Sequence, residues 1–183
     1  AAYIDSGANV ITSNSYAVVP FHIGEARFAE EGQALAPLAG ELARRAVQAS
    51  GKAVQVAGSL PPLFGSYRPD LFQAERVSEL LTPLVNGLAP HVDLWLAETQ
   101  SSIAEARAIH AGLPKDGKPF WLSFTLKDED TDEVPRLRSG EPVADAAEAA
   151  AQLGVQVLLF NCSQPEVIGA AIDAARATFE RLG

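Results

Sequence analysis

Five short apolar runs, at residues 10–14, 53–59, 92–99, 119–125 and 155–160, alternate with five longer segments that carry helix-forming residues. Strands separated by a helix-length connection pair in parallel, through right-handed crossovers, because a tight hairpin is unavailable to them. The alternation therefore predicts a single α/β domain over residues 1–183 with a parallel sheet and no internal linker. The helices are predicted over 24–50, 70–88, 102–111, 142–153 and 165–182. The first carries an apolar stripe of Leu35, Leu38, Leu42, Ala43, Ala46 and Val47, ends at Gly51, and is expected to break near Gly32 or Pro37. In the second, Val77, Leu80, Leu81, Leu84 and Val85 share one face. Ser102 followed three residues later by Glu105 is a capping-box pattern for the third.

Every apolar run ends in polar residues: Asn14, Ser59, Glu98, Ser123 with Thr125, and Asn161 with Cys162. In a parallel α/β protein these strand ends lie at one rim, where ligands bind in both barrels and open sheets. Ser59 and Thr125 are accounted for as simple strand exits. Glu98 is not, because a carboxylate directly after Leu94-Trp95-Leu96-Ala97 must be solvated or paired to avoid a large desolvation cost. Cys162, the single cysteine, can be a soft metal ligand, a nucleophile or a small core residue, and its position alone leaves all three open.

Composition excludes several partners. Against 23 acidic residues stand 14 basic ones, a formal charge of −9, which opposes binding to nucleic acid or to an anionic membrane. One cysteine cannot form an internal disulfide and agrees with a reducing, cytoplasmic location. The acidic loop 127–133 places Asp128, Asp130 and Asp132 at calcium-loop spacing, but Glu133 stands where glycine is needed and Ser139 where the closing glutamate belongs. Glycine-rich nucleotide cradles and the Gly-x-Ser-x-Gly elbow are absent. His22, His91 and His110 follow no metal-ligand spacing and read as surface or satisfied histidines.

Taken in order, residues 7–16 (GANVITSNSY), 56–60 (VAGSL), 96–99 (LAET), 121–124 (WLSF) and 160–166 (FNCSQPE) resemble the homocysteine S-methyltransferase family across essentially the whole chain. The resemblance implies a (β/α)8 barrel that moves a methyl group from S-methylmethionine, betaine or a methylated folate to the sulfur of homocysteine. It implies a zinc ion held by three cysteine thiolates, of which Cys162 matches the first. The other two belong to a Gly-Gly-Cys-Cys-Gly motif that these 183 residues do not contain. Zinc stabilises thiolate, so a bound homocysteine becomes nucleophilic at neutral pH.

By the same resemblance Glu98 would hold the homocysteine ammonium. Asn161 and Ser123 would line that pocket, and Asn14, Tyr16 and Tyr67 would contact substrate or donor at the rim. The loop at residues 61–70, with Phe64, Tyr67 and Arg68, is either an aromatic wall for a sulfonium or quaternary ammonium donor or a proline-rich loop that packs its own aromatics. The absence of a cobalamin or folate module in these residues leans toward such a small onium donor. The chain then corresponds to strands two to six, an interior portion of a longer enzyme, inactive alone and with open edges that an oligomer could cover. The alternative is a non-catalytic binding or assembly module of the same barrel in which Cys162 is only a packed thiol.

Overall fold

The computed structural model describes residues 2–128 and 134–183. Five strands, β1 (Val10–Thr12), β2 (Gln55–Leu60), β3 (Leu94–Gln100), β4 (Phe120–Phe124) and β5 (Val157–Phe160), form one sheet in the order β1-β2-β3-β4-β5. Every neighbouring pair is parallel. The helices are α1 (Ala2–Asp5), α2 (Pro20–Ile23), α3 (Glu25–Ser50), α4 (Val77–Leu88), α5 (Ile103–Ala111), α6 (Val143–Gln152) and α7 (Pro165–Leu182). A doubly wound sheet reverses its strand order at a switch point, and this one does not. Successive right-handed crossovers therefore stack the long helices along one face, where α3 packs on α4, α4 on α5, α5 on α6 and α6 on α7.

The two faces of the sheet differ accordingly. Between sheet and helices lies the main core, which joins Trp95, Leu122 and Phe124 to Leu80, Leu84 and Ile109. On the opposite face Ala57, Leu94 and Leu96 form a smaller buried cluster with Val10, Trp121 and Leu159. The edge strands β1 and β5 contain no fully buried residue. Among the described residues no helix is long and apolar enough to cross a membrane.

Three local outcomes depart from or refine the sequence expectations. First, α3 runs unbroken through Gly32 and Pro37. A proline inside a helix forfeits a hydrogen bond and crowds the preceding turn, at a cost of about 3 kcal/mol. Here its ring lies against Gly87 of α4, where a Cβ would come within 2.6 Å of Pro37 Cδ and 2.7 Å of its nitrogen. The close helix–helix contact offsets the lost bond, and it exists only because residue 87 has no side chain. Gly87→Ala is therefore expected to destabilise the fold by about 1–3 kcal/mol in a denaturant titration, and an unchanged midpoint would refute this account of Pro37.

Second, the segment predicted as helix from residue 70 becomes α-helical only at Val77. Two 3-10 turns, Pro69–Leu71 and Ala74–Arg76, precede it, separated by an extended Phe72 whose ring meets Phe64 edge-on at 5.8 Å. The expected apolar face of α4 is buried throughout. Third, the capping box of α5 is complete: Glu105 N donates to Ser102 Oγ at 3.2 Å and Ser102 N donates to Glu105 Oε2 at 2.8 Å. Residues 129–133, which hold most of the acidic loop, lie outside the described residues.

Candidate functional site

Side chains alternate across a strand with a period of two. The inner cluster of Ala57, Leu94, Leu96, Trp121 and Leu159 therefore fixes which residues continue on the same face toward the C-terminal rim. They are Ser59 after Ala57, Glu98 after Leu96, Ser123 after Trp121 and Asn161 after Leu159. Four of the polar strand ends thus converge on the inner side of one rim.

On the β2–β3 side, Ser59 Oγ donates to Glu98 Oε1. Ser59 is held in turn by the chain leaving β1: its N–H donates to Ser13 Oγ at 3.0 Å, and its carbonyl accepts from Ser15 Oγ at 2.7 Å. The Ser13 and Ser15 hydroxyls bond each other at 2.9 Å, and all three serines are buried. The half-buried Glu98 carboxylate thus has a fixed donor on one oxygen.

The β4–β5 side is organised by Asn161. Its Oδ1 accepts from Ser123 Oγ at 2.7 Å, while Nδ2 donates to Thr99 Oγ1 at 2.8 Å and to Cys162 Sγ at 3.2 Å. Ser163 closes the strand end by accepting from Leu126 N at 2.8 Å and donating to the Asn161 carbonyl at 3.1 Å. The Tyr67 hydroxyl pKa is pushed up to about 12, first by hydrogen bonding with Cys162 and then by burial, with Arg138 opposing. The Arg138 guanidinium lies over the Tyr67 ring at 5.4 Å and pairs with Asp128 at 3.0 Å. Tyr16 OH and Ser66 Oγ share a hydrogen bond of 2.6 Å.

Among the described residues, Tyr67, Thr99 and Cys162 are the non-glycine positions with positive φ, at 64°, 61° and 52°. Left-handed backbone costs a residue with a Cβ roughly 1 kcal/mol or more, and such strain persists only where the surroundings impose it. All three belong to the rim network. At Thr99 the cause is a bulge: Ala97 pairs with Leu122 and Gln100 with Phe124, so three steps on β3 oppose two on β4. Regular alternation would send Thr99 into the helix layer. The left-handed turn instead lets adjacent side chains serve the same rim, Glu98 toward Ser59 and Thr99 toward Asn161.

The residues expected at the site are not placed alike. Ser123, Asn161 and Cys162 are connected through this framework, Glu98 adjoins it as the chain neighbour of Thr99, and Tyr67 lies near enough to Cys162 for its hydroxyl pKa to be raised. Asn14 is exposed between the buried Ser13 and Ser15, and Tyr16 is half-buried against the 60–69 loop. Phe64 is buried in the main core and Arg68 pairs with Asp70, so of that loop's three expected wall residues only Tyr67 faces the rim. Sequence reasoning missed Ser13, Ser15, Thr99 and Arg138. The polar run of residues 99–101 directly after Glu98 was the available signal for Thr99.

As a metal site, the described residues supply one soft donor, the exposed Cys162 thiol. Among them no group of three or more His, Cys, Asp or Glu side chains could hold a metal ion.

The sequence profile described as homocysteine S-methyltransferase matches residues 1–182. The chain belongs to that family. Its fold superposes on crystal structures of the homocysteine methyltransferase MmuM from Escherichia coli in its metallated, oxidized and apo forms. The metallated form gives a TM-score of 0.79 at 28% identity over 96% of this chain. The oxidized form gives 0.79 at 25% and the apo form 0.74 at 26%, each again over 96% of this chain. The family member described here spans 65% of the metallated MmuM chain and 64% of the other two. Its five parallel strands are thus part of a TIM-barrel-like fold. A putative phosphonomutase from Burkholderia cenocepacia shares the fold alone, with a TM-score of 0.52 at 17% identity. No curated protein sequence matches the chain.

Proposed function

We propose that this chain is the strand-two-to-six portion of a single barrel domain in an enzyme that transfers a methyl group from a small onium donor, such as S-methylmethionine, to the sulfur of homocysteine, giving methionine. The observation that carries the reading is the joining of a carboxylate and a thiol on one inner rim, linked from Glu98 and Thr99 through Asn161 to Cys162. Glu98, with one oxygen already fixed by Ser59, holds the substrate ammonium with the other. Asn161 aims Cys162 by its hydrogen bond to the sulfur, and Ser123 fixes the amide so that its NH2 group faces that sulfur. Tyr67 and Tyr16 form the aromatic side of the pocket, with Asn14 at its mouth. Because Arg138 already covers one face of the Tyr67 ring, a cationic donor uses the ring's edge or its free face.

Cys162 would supply one thiolate to a zinc ion, and the remaining thiolates would have to come from cysteines outside these residues. Zinc, when bound, stabilises the thiolate form of homocysteine. What this chain itself contributes is binding of the amino acid and alignment of its sulfur with the methyl group, the geometric part of catalysis.

The test is an assay of the intact protein with homocysteine and, side by side, S-methylmethionine, betaine and methylfolate. Methionine formation is expected with an onium donor. Faster turnover with methylfolate would overturn the donor class. No methionine from any donor would overturn the enzyme and favour the non-catalytic barrel module.

A further inference from the structure

Beneath the rim, on the helix side of β3, lies a small cavity of about 10 Å³ lined by Leu63, Phe64, Phe72, Ile109, Gln100 and Glu105 among others. Its walls are apolar except for these last two side chains, both buried. The Gln100 amide orientation is fixed, because Nε2 donates to the Glu98 carbonyl at 2.9 Å and to the Leu60 carbonyl at 3.3 Å. Both amide hydrogens are thereby used, and a flipped amide would set oxygen against two carbonyls. Gln100 Oε1 is a buried acceptor without a protein partner.

Glu105 repeats the pattern. Its Oε2 collects Ser101 N at 2.7 Å, Ser102 N at 2.8 Å and Ser102 Oγ at 3.1 Å, while Oε1 is buried with no protein partner. A buried acceptor left unpaired costs about 1–3 kcal/mol, and two in one small cavity call for a shared donor. Burial pushes the Glu105 carboxyl up, against the pull of the Ser101 and Ser102 donors. A cavity of roughly 10–15 Å³ accommodates one water molecule. Water is the one common ligand of that size with two hydrogens to give.

We propose that this cavity is a binding site for a single water molecule that donates one hydrogen to Gln100 Oε1 and one to Glu105 Oε1, making Gln100 a positioning residue for the Glu98–Thr99 bulge. Gln100 ties the ends of β2 and β3 together through Leu60 and Glu98, and Glu105 is anchored to the first turn of α5. The water joins these two fixtures. With Gln100 held, the backbone of Thr99 is kept at φ 61°, and Glu98 and Thr99 both stay turned to the rim.

The test is a high-resolution crystal structure of the intact protein and of its Gln100→Met variant. In the unaltered protein one ordered water is expected within hydrogen-bond distance of both Oε1 atoms; a dry cavity, or direct contact between the two side chains, would overturn the proposal. In Gln100→Met the water should be lost, Thr99 should leave the left-handed region and Glu98 should part from Ser59; an unmoved bulge would remove the positioning role. These structural readouts do not depend on the methyl-transfer reading. A kinetic readout rests on it: Gln100→Met should raise the homocysteine KM about tenfold with kcat little changed, as loss of binding geometry alone would. A fall in kcat at unchanged KM would overturn the positioning role.

Discussion

Under the proposed function, Cys162→Ser in the intact protein is expected to abolish methyl transfer to homocysteine and to remove the zinc that Cys162 would help to hold, with no loss of fold. The thiol is exposed, and the hydrogen bond that it accepts from Asn161 Nδ2 at 3.2 Å is one that a serine hydroxyl can also accept. The substitution therefore costs little packing. It does replace a soft sulfur donor by a hard alcohol oxygen, which is a poor ligand for soft metals. Elemental analysis and a turnover assay on the same preparation decide it: zinc and activity retained together would remove Cys162 from the centre.

Glu98→Ala is expected to raise the homocysteine KM by at least roughly 30-fold, about 2 kcal/mol, while kcat changes little, because an ammonium–carboxylate contact serves ground state and transition state alike. Glu98→Gln separates charge from shape. The amide oxygen can still accept from Ser59, so the serine cluster stays satisfied and the expected rise in KM reports the missing charge. An unchanged KM in both variants would place the substrate ammonium elsewhere.

Much of the framework was legible in the sequence because it rests on period and punctuation. The five strands, their parallel pairing and the capping box at Ser102 and Glu105 are local or near-local properties, and the structure has them. What was not legible depends on partners far along the chain. Pro37 sits inside an intact helix because Gly87, fifty residues on, leaves room for its ring. Ser13 and Ser15 turn inward because Ser59 offers them a backbone N–H and a carbonyl, whereas by residue type alone Asn14 is the more conspicuous polar group. Thr99 adopts a backbone that its β-branched side chain disfavours, so local propensity points the wrong way; the register shift against β4 imposes it.

The inner-face alternation that gathers Ser59, Glu98, Ser123 and Asn161 also sets where this chain can change length. Adding or deleting one residue within β2, β3, β4 or β5 exchanges the two faces from that point onward, so the polar end group turns toward the helices and an apolar neighbour enters the rim. The bulge at Thr99 is a built-in instance of such an insertion, confined to the last turn of one strand. A change of length is therefore expected to be tolerated in the loops and the outer ends of the helices, where a residue gained or lost leaves the parity of the strands intact.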